Sequence, residues 1–409
     1  MKIKDICTLS TKSVVPQKDV EYHLYSLPAF DENQQYECVD GKEIHSNKWL
    51  IPDKCILFNK LNVRFRRVWR IDNNDENKLA STEFLPLIVN EKKVDFQYCY
   101  YLLISDAITN YLCGQNSNTS GSHKRIDTSD FFNININLPT IEEQKKIGKI
   151  LHALDKKIAL NRQINQNLEA LARQLYDYWF VQFDFPDANG KPYKSFGGKM
   201  VYNIQLKREI PDGWEVKEME EIIDIKSGFP FQSTTYLSKG KYSIITIKNV
   251  QDGFLDLSGT DFLDELPPRI PDYCILKRGD ILISLTGNIG RVGRVFSDNL
   301  LLNQRVGYVD CKNQYNNWAY LYITSSQVRL QIEKLGIGSA QLNVSPIQIG
   351  KIKLALPTDQ VLSSFDKKLA AILEHILANS NEIASLTKQR DELLPLLMNG
   401  QVNFDLSDD

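Results

Sequence analysis

The sequence of 409 residues lacks any hydrophobic run long enough to cross a membrane. No stretch of about 18 consecutive apolar residues occurs. The first ten residues, MKIKDICTLS, also lack the apolar core of a secretion signal. We therefore expect a cytoplasmic protein that does not interact with a membrane.

Clustered metal ligands are also lacking. The seven cysteines include no Cys-x-x-Cys pair, and the five histidines are isolated from one another and from the cysteines. An odd, scattered set of cysteines is typical of reduced and mostly buried thiols. We predict no metal site and no disulfide framework.

Common catalytic motifs are missing as well. There is no Gly-x4-Gly-Lys-Ser/Thr loop for a nucleoside triphosphate, and no Asn/Asp-Pro-Pro-aromatic motif of adenine methyltransferases. Pro211-Asp212 with Glu215 and Lys217 superficially matches a metal-dependent nuclease pattern. Its carboxylates are too close in sequence to come from separate strands. The sequence therefore predicts a chain without a catalytic centre of its own.

An excess of basic residues is absent too. The formal net charge is −2, so any surface that binds nucleic acid must be local. The composition, with 42% hydrophobic and 24% charged residues, is that of a folded protein. The length is sufficient for two or three domains.

What the sequence does contain is a long internal repeat. Leu138-Pro139-Thr140 recurs 218 positions later as Leu356-Pro357-Thr358. After each copy, mostly apolar residues recur at alternating steps of four and three, from Ile147 to Trp179 and from Phe365 to Leu397, and Arg390 is the one poor member of the second series. Such heptad seams predict two helices that pack against each other. Each helix would have about 40 residues and measure about 60 Å, which exceeds the core of one compact domain.

The ends of these helices are also readable. Thr140 and Glu143 have the spacing of a capping box, whereas the second start, at Thr358, has a weaker cap. Pro395 and Gly400 are expected to end the second helix.

Asn161 and Asn379 occupy equivalent positions in the two seams. A buried asparagine in a coiled coil lowers stability and fixes the register. The alternative is that both residues face solvent because the true seam is shifted by one position. The first interpretation predicts that Asn161→Leu raises the thermal stability and loosens the alignment of the helices.

A segment rich in short strands precedes each helix. Residues Val63 to Ile71 alternate in a way that predicts a strand with an arginine-rich face, and Gln97 to Tyr111 is predicted to be helical. In the second segment, the stretch from Lys277 to Ser284 repeats the turn and strand from Pro52 to Asn59, and Gln327 to Leu335 is predicted to be a short helix.

The chain resembles the specificity (S) subunit of type I restriction-modification systems. The resemblance lies in LPTIEEQKKIGKILHALDKKIALNRQINQNLEALARQLYDYWFV in the middle, in IPDGW and RGDILISLTGNIG in the second half, and in LTKQRDELLPLLMNGQV near the end. It covers the helices well and the globular halves only through their shared strand and turn units.

The resemblance implies an α+β protein in which two target recognition domains are separated by two long antiparallel helices. Each domain is expected to recognise one part of a gapped target in double-stranded DNA. The implied partners are two methyltransferase subunits, which use S-adenosylmethionine, and ATP- and Mg-dependent restriction subunits in the full complex. No cofactor is expected in this chain. The predicted segments are recognition domain 1 at 1–139, the central helix at 140–183, a connector and recognition domain 2 at 184–358, the C-terminal helix at 359–400, and a tail at 401–409.

Given this resemblance, arginines and amides in the globular halves are candidate DNA contacts, because guanidinium groups suit phosphates and guanine edges. The alternatives are a solvated strand face in the first half and, around Arg291 and Arg294, a glycine-rich hairpin that merely turns the chain. The candidates are Arg64, Arg66, Arg67, Arg70, Lys124 and Arg125 in the first half, and Arg278, Arg291, Arg294, Arg305, Gln341 and Asn343 in the second.

Two further alternatives remain open in the sequence. The aromatic residues at the end of the first helix either dock that helix against a recognition domain or bind a methyltransferase subunit. The chain as a whole could instead be a coiled-coil scaffold whose globular ends bind protein, which its near-zero net charge would suit. The aromatic cluster consists of Tyr176, Tyr178, Trp179, Phe180 and Phe183.

Overall fold

The structure is a computed structural model that describes residues 1–32, 34–115, 124–312, 315–338 and 341–401. Its internal contacts define two compact units: unit 1 comprises Met1–Lys156 and Leu386–Asp409, and unit 2 comprises Lys157–Ser385. The predicted boundaries between recognition domains and helices stay predictions, because this division follows contacts and not recognition segments. No described helix is both long and apolar enough to span a membrane.

Unit 1 contains two sheets. One has the strand order β1-β9-β6-β7 and is antiparallel throughout, and the other has the order β2-β5-β8-β3-β4 with a parallel β3–β8 pair. The strands of its described residues are β1 Cys7–Leu9, β2 Ser13–Val14, β3 Glu21–Tyr25, β4 Glu37–Asp40, β5 Lys48–Leu50, β6 Lys54–Asn59, β7 Val68–Asp72, β8 Lys78–Ala80 and β9 Phe84–Val89.

Among the described residues, several short helices and the start of the first long helix complete unit 1. They are α1 Ile3–Ile6, α2 Leu27–Glu32, α3 Phe96–Ile104, α4 Asp106–Gln115, α5 Thr128–Phe132 and the long α6 Ile141–Tyr176. The helix predicted from Gln97 to Tyr111 is therefore two helices. Ser105, between them, has an extended backbone with ψ 155°, which interrupts the helical path.

The start of α6 confirms the predicted capping box. The Thr140 backbone N–H donates to Glu143 Oε2 at 2.8 Å, and the Glu143 N–H donates to Thr140 Oγ1 at 3.3 Å. Further along, Ile147 and Leu151 are buried in the core of unit 1 together with Leu394 and Leu397 from the end of the chain. The predicted seams thus supply core residues.

Unit 2 repeats this architecture. Its four-stranded sheets have the orders β13-β20-β17-β18 and β15-β14-β19-β16, and two-stranded ribbons join β10 to β11 and β12 to β21. The described strands are β10 Met200–Asn203, β11 Arg208–Pro211, β12 Glu215–Glu218, β13 Ile223–Ser227, β14 Tyr242–Ile245, β15 Asp261–Leu263, β16 Ile275–Leu276, β17 Ile281–Ser284, β18 Val292–Arg294, β19 Leu300–Leu302, β20 Val306–Cys311 and β21 Lys353–Leu356.

Strand by strand, the two units correspond. β6 and β17 are central in sheets of the same order, as the repeated turn and strand predicted, and β3–β8 and β14–β19 are equivalent parallel pairs. β18 occupies the position of β7, so the glycine-rich stretch around Arg291 and Arg294 also contains a strand. The helices of unit 2 are α7 Asn316–Thr324, α8 Ser326–Leu335, α9 Pro346–Gly350 and the long α10 Asp359–Met398, which ends in unit 1.

Within unit 2, α6 and α10 run antiparallel. Lys157 lies 3.5 Å from Glu382, whereas further along α6 Asn165 donates to the Ile376 carbonyl oxygen at 3.2 Å. Of the two residues expected to end α10, Pro395 lies inside the helix, which continues to Met398. The Asn399 N–H still donates to the Pro395 carbonyl, and Gly400 ends the helix with φ +66°.

The two predicted register asparagines do not pair with each other. Asn161 is only 1% exposed and donates to Glu382 Oε2 at 2.7 Å. Asn379 is half-buried and donates to Asn165 Oδ1 at 3.0 Å. Each asparagine therefore bonds to the facing helix, and the alternative in which both face solvent is wrong for Asn161. Their effect on register stays a prediction.

Candidate nucleic-acid interface

Three segments meet at one edge of unit 1. They are the hairpin loop between β6 and β7 (residues 60–67), the turn before β9 (residues 81–84) and the closing segment (residues 124–126). The Lys60 N–H donates to the Glu83 carbonyl at 2.9 Å, the Asn62 N–H donates to the Lys124 carbonyl at 2.8 Å, and the Ile126 N–H donates to the Lys60 carbonyl at 2.9 Å. We call this arrangement the three-segment site.

Unit 2 has the same three-segment site, built with the same backbone hydrogen bonds. The Leu285 N–H donates to the Arg305 carbonyl at 3.2 Å, the Gly287 N–H donates to the Leu342 carbonyl at 2.8 Å, and the Val344 N–H donates to the Leu285 carbonyl at 2.9 Å. Its segments are the hairpin loop 285–291, the turn 303–306 and the closing segment 341–344. Glu83 of the first site therefore corresponds to Arg305, and Arg125 corresponds to Asn343.

The first hairpin loop is not the basic strand that the sequence predicted. Val63–Phe65 forms a 3-10 turn, and β7 begins only at Val68. Asn62 and Arg66 on either side of the turn have positive φ angles of 52° and 47°, which reverse the chain direction. The alternation of residue types from Val63 to Ile71 predicted a strand, but it could not reveal these two left-handed backbone positions. The arginines thus project from a tight loop and not from one strand face.

Most of the candidate arginines in this loop and closing segment have acidic partners. Arg66 pairs with Asp106. Arg67 binds both oxygens of Asp31 at 2.6 and 2.7 Å, and its side chain is only 14% exposed. Arg125 binds both oxygens of Glu83 at 2.9 and 2.6 Å. The Arg125 guanidinium lowers the pKa of Glu83 by hydrogen bonding, and these pairs neutralise much of the positive charge.

Arg64 differs from its neighbours. Its guanidinium lies 4.7 Å from the ring centre of Phe65, and the Arg67 guanidinium lies 4.8 Å from the same centre. Among the residues that the structure describes, Arg64 has no acidic side chain within ion-pair distance. Lys124 contributes its backbone carbonyl to the site. Arg64 is consequently the first-half candidate whose charge is most available to a phosphate.

Arg70 and Arg294, both candidate DNA contacts, are at equivalent positions inside the two units. Arg70 on β7 is opposite Ile56, and Arg294 on β18 is opposite Ile281. The Arg70 guanidinium lies 5.1 Å from the ring centre of Tyr100, and the Arg294 guanidinium lies 5.6 Å from that of Tyr320. Burial lowers the pKa of Arg294. These placements favour an internal structural role for both arginines and do not favour DNA contact.

A tyrosine in or next to each of these pairs forms a hydrogen bond to α6. The Tyr320 hydroxyl donates to Glu169 Oε1 at 2.8 Å, and burial raises the pKa of Glu169. In unit 1 the neighbouring Tyr101 hydroxyl donates to Asp155, which also accepts a hydrogen bond from Arg390 at 3.0 Å. No local sequence pattern marks these tyrosines and acids, because only their long-range contacts reveal the connection.

The glycine-rich hairpin of unit 2 serves to turn the chain. Gly287 and Gly290 have φ angles of +76° and +78°, which other residues rarely adopt. A side chain at Gly293 would place its Cβ atom 2.7 Å from the Phe254 carbonyl oxygen. Arg291 donates to Gln251 Oε1 at 2.7 Å. This geometry supports the alternative that the glycines shape the hairpin, and a phosphate contact stays a prediction.

The other second-half candidates separate into two groups. Arg278 is bonded to Glu374 on α10 and to the Phe296 carbonyl, away from the three-segment site. Asn343 is within the site, where its Oδ1 accepts from the Thr286 hydroxyl at 2.7 Å and its Nδ2 donates to the Gln341 carbonyl at 3.1 Å. Arg305 is exposed at the turn and lines a polar cleft of about 310 Å³.

The aromatic cluster at the end of α6 is mostly internal. Trp179, Phe180 and Phe183 are buried, and the Phe180 ring centre lies 4.6 Å from that of Phe365 on α10. Tyr176 is buried beside them, whereas Tyr178 is 37% exposed. The Phe183 ring centre lies 5.4 Å from that of Trp214 in the predicted recognition domain 2, and the four buried residues share one core with that domain. This supports the alternative in which the cluster docks the helix against a recognition domain.

The comparisons with known proteins agree with this architecture. A family model described as the type I restriction modification DNA specificity domain matches residues 1–170 and 211–393. Because the matches cover most of the chain and occur twice, the chain belongs to this family. Its members are DNA-recognition components without catalytic activity, and the tandem match is the repeat seen in the sequence.

Individual relatives extend over most of the chain. The specificity subunit of the type I restriction enzyme HindI from Haemophilus influenzae is 26% identical over 395 residues, which cover 85% of this chain and 86% of the relative. The MjaIX specificity subunit from Methanocaldococcus jannaschii is 25% identical over 335 residues, covering 81% and 74%. The crystal structure of an S subunit from M. genitalium has a TM-score of 0.56 at 15% identity, covers 97% of this chain and 95% of its own, and shows the same fold.

The family assignment decides between the two classes of function left open by the sequence. A DNA specificity subunit is supported, and a coiled-coil scaffold with protein-binding ends is not. The assignment does not test individual contact residues. Arg64, Lys124, Arg291, Arg305 and the other candidates therefore stay predictions, ordered by how the structure places them.

Proposed function

We propose that this chain recognises a two-part, gapped sequence in double-stranded DNA and thereby directs the methylation of that sequence by partner subunits. The observation that carries the proposal is the three-segment site, which occurs once in each unit with matching backbone hydrogen bonds. Loops held by hydrogen bonds on a rigid sheet are suited to reading a surface, because the scaffold keeps the contacting side chains in place. Two such sites in one chain suit a target with two parts.

The two sites differ in their charged groups, as expected if they read different sequences. The first site contains the Arg125–Glu83 ion pair and Arg64, which has no carboxylate partner among the described residues. The second contains Arg305 and the amide of Asn343 at the positions of Glu83 and Arg125. Phosphate contacts orient a protein on DNA, whereas side chains at base edges select the sequence. The equivalent backbones would place both sites on the DNA in the same way, and the different side chains would let each site select its own sequence.

Chemistry on the DNA would be supplied by partners. In this proposal two methyltransferase subunits bind the chain, use S-adenosylmethionine and flip the target adenine out of the duplex. Restriction subunits that use ATP and Mg complete the assembly when it cleaves DNA. This chain itself would hold no cofactor and would work in the cytoplasm.

Modification-sensitive long-read sequencing of host DNA, with and without the gene for this chain, tests the proposal. Deleting the gene should remove methyladenine from one gapped two-part motif, and a plasmid copy should restore it. The control is a strain that lacks the partner methyltransferase, which should lose the same motif. An unchanged methylation pattern after deletion, with the partner methyltransferase expressed, would overturn the proposed function.

A further inference from the structure

We infer that Arg305 is a specificity-determining residue, which reads a guanine in the part of the target bound by unit 2. The inference rests on the proposed function and deepens it. It follows from three features of the described residues: the equivalence of Arg305 with Glu83, the rigid turn that carries Arg305, and the polar cleft beside it.

The equivalence with Glu83 places Arg305 within the three-segment site. Glu83 in unit 1 reaches the closing segment directly, because both of its carboxylate oxygens bind Arg125. The equivalent position in unit 2 carries an arginine, and the closing segment offers Asn343. The Asn343 amide group is bonded to Thr286 and to the Gln341 carbonyl, and it forms no hydrogen bond with the Arg305 guanidinium.

The turn that carries Arg305 is fixed on both sides. The Val306 N–H donates to the Asn303 carbonyl at 2.9 Å, which closes the turn, and the Gln304 N–H donates to the Phe229 carbonyl at 3.0 Å. A side chain at Gly228 would place its Cβ atom 2.4 Å from the Asn303 carbonyl oxygen, so the neighbouring backbone packs directly against the turn. The backbone at Arg305 is therefore held in place, as recognition of a base edge requires.

The cleft beside the turn has unpaired polar groups on its walls. Lys248, Gln304 and Arg305 are exposed and line it, and Asp261 is also part of its wall. In the part of the chain that the structure describes, the side chains of Lys248, Gln304 and Arg305 make no hydrogen bond or ion pair with protein. This contrasts with Arg66, Arg67 and Arg125 of unit 1, which are all paired with carboxylates.

The chemistry of these groups indicates their ligands. The arginine guanidinium presents two parallel N–H donors, which match the O6 and N7 acceptors of guanine in the major groove. The ammonium group of Lys248 is a compact positive charge without such a fork, which suits a phosphate oxygen. Arg305 is therefore assigned to a base and Lys248 to the backbone of the DNA.

A base-substitution series in the methyltransferase complex tests the assignment. After the recognised motif has been determined, each base pair of the two parts is replaced in turn, and the methylation kcat/KM is measured with the complex. The unsubstituted complex should prefer guanine at one position of the part read by unit 2, by on the order of 10- to 100-fold. Arg305→Ala should abolish this preference at that position only. Arg305→Gln should shift it towards adenine, because glutamine is bidentate to the N6 and N7 atoms of adenine.

Two control variants separate base reading from a general loss of binding. Lys248→Gln should weaken binding to all sequences equally and reduce the slope of log affinity against log salt by about one unit. Lys334→Gln, an exposed residue near the end of α8, should change neither property. Unchanged discrimination at every position in Arg305→Ala, or an equal loss for all sequences, would overturn the inference while leaving the proposed function intact. Absence of any motif with the unsubstituted complex would overturn the proposed function instead.

Discussion

Replacing Asn161 with leucine is expected to stabilise unit 2 by about 1 kcal/mol. Asn161 is 1% exposed, so a leucine there would be fully buried and would contribute about 1.5–3 kcal/mol. The variant loses one hydrogen bond to the Glu382 carboxylate. Because Glu382 is 44% exposed and remains 3.5 Å from Lys157, water and this lysine compensate for most of that loss. The expected rise in melting temperature is about 2–4 °C, measured by circular dichroism.

The equivalent change at Asn379 is expected to have the opposite sign and serves as the matched control. Its amide donates to Asn165 Oδ1, which has no charge of its own and lies between the helices. Asn379→Leu leaves that oxygen without its protein donor, and we expect a loss of about 1 kcal/mol. In Asn161→Leu the register is less specified, so the distribution of distances between spin labels placed on the two helices should broaden. A lower melting temperature for Asn161→Leu, or an unchanged distance distribution, would refute the reasoning.

Three further changes test other parts of the structure. Arg64→Ala should reduce the salt slope of DNA binding by about one unit, whereas Arg67→Ala, whose guanidinium is held by a carboxylate, should reduce it less; equal slopes for both variants would contradict this. Glu143→Gln should destabilise the chain at neutral pH. Hydrogen bonds from Thr140 lower the folded-state pKa of Glu143, so its contribution is present above the unfolded pKa and is lost as the pH falls through the folded value. The difference in melting temperature from the unsubstituted chain should therefore vanish in acid, and a constant difference would count against this cause. Tyr320→Phe should lower the free energy of unfolding by about 1–3 kcal/mol, because it removes the hydroxyl donor of the buried Glu169; a neutral result in urea unfolding would show that water replaces the donor.

The long helices were predictable because their signals are local and repeated. The Thr140–Glu143 cap and the heptad seam depend only on spacing along one helix, and both are confirmed. Of the two residues expected to end the second helix, Gly400 ends it and Pro395 lies inside it. A proline removes one N–H donor, yet the helix continues for three more residues, to Met398, before Gly400 provides the left-handed conformation that ends it.

The candidate interface was predictable only as a set of residue types. The sequence identified the arginines near the two hairpins, but the carboxylates that neutralise Arg66, Arg67 and Arg125 are about 40 positions away and follow no local pattern. Similarly, the correspondence between Glu83 and Arg305 emerges from backbone hydrogen bonds and not from any likeness between the two segments. Arg70 and Arg294 could not be assigned to the interior without knowing which tyrosines face them.

The division of the chain into units has a consequence for the order of folding during synthesis. The core of unit 1 contains Leu394 and Leu397 beside residues from the first hundred and fifty positions. Unit 1 begins to be synthesised first, yet its core is complete only when nearly the whole chain has left the ribosome. The residues of unit 2 all emerge before that point. Unit 2, whose synthesis begins later, is therefore the first unit whose core can close, and a chain truncated before Leu386 should leave unit 1 with exposed apolar surface.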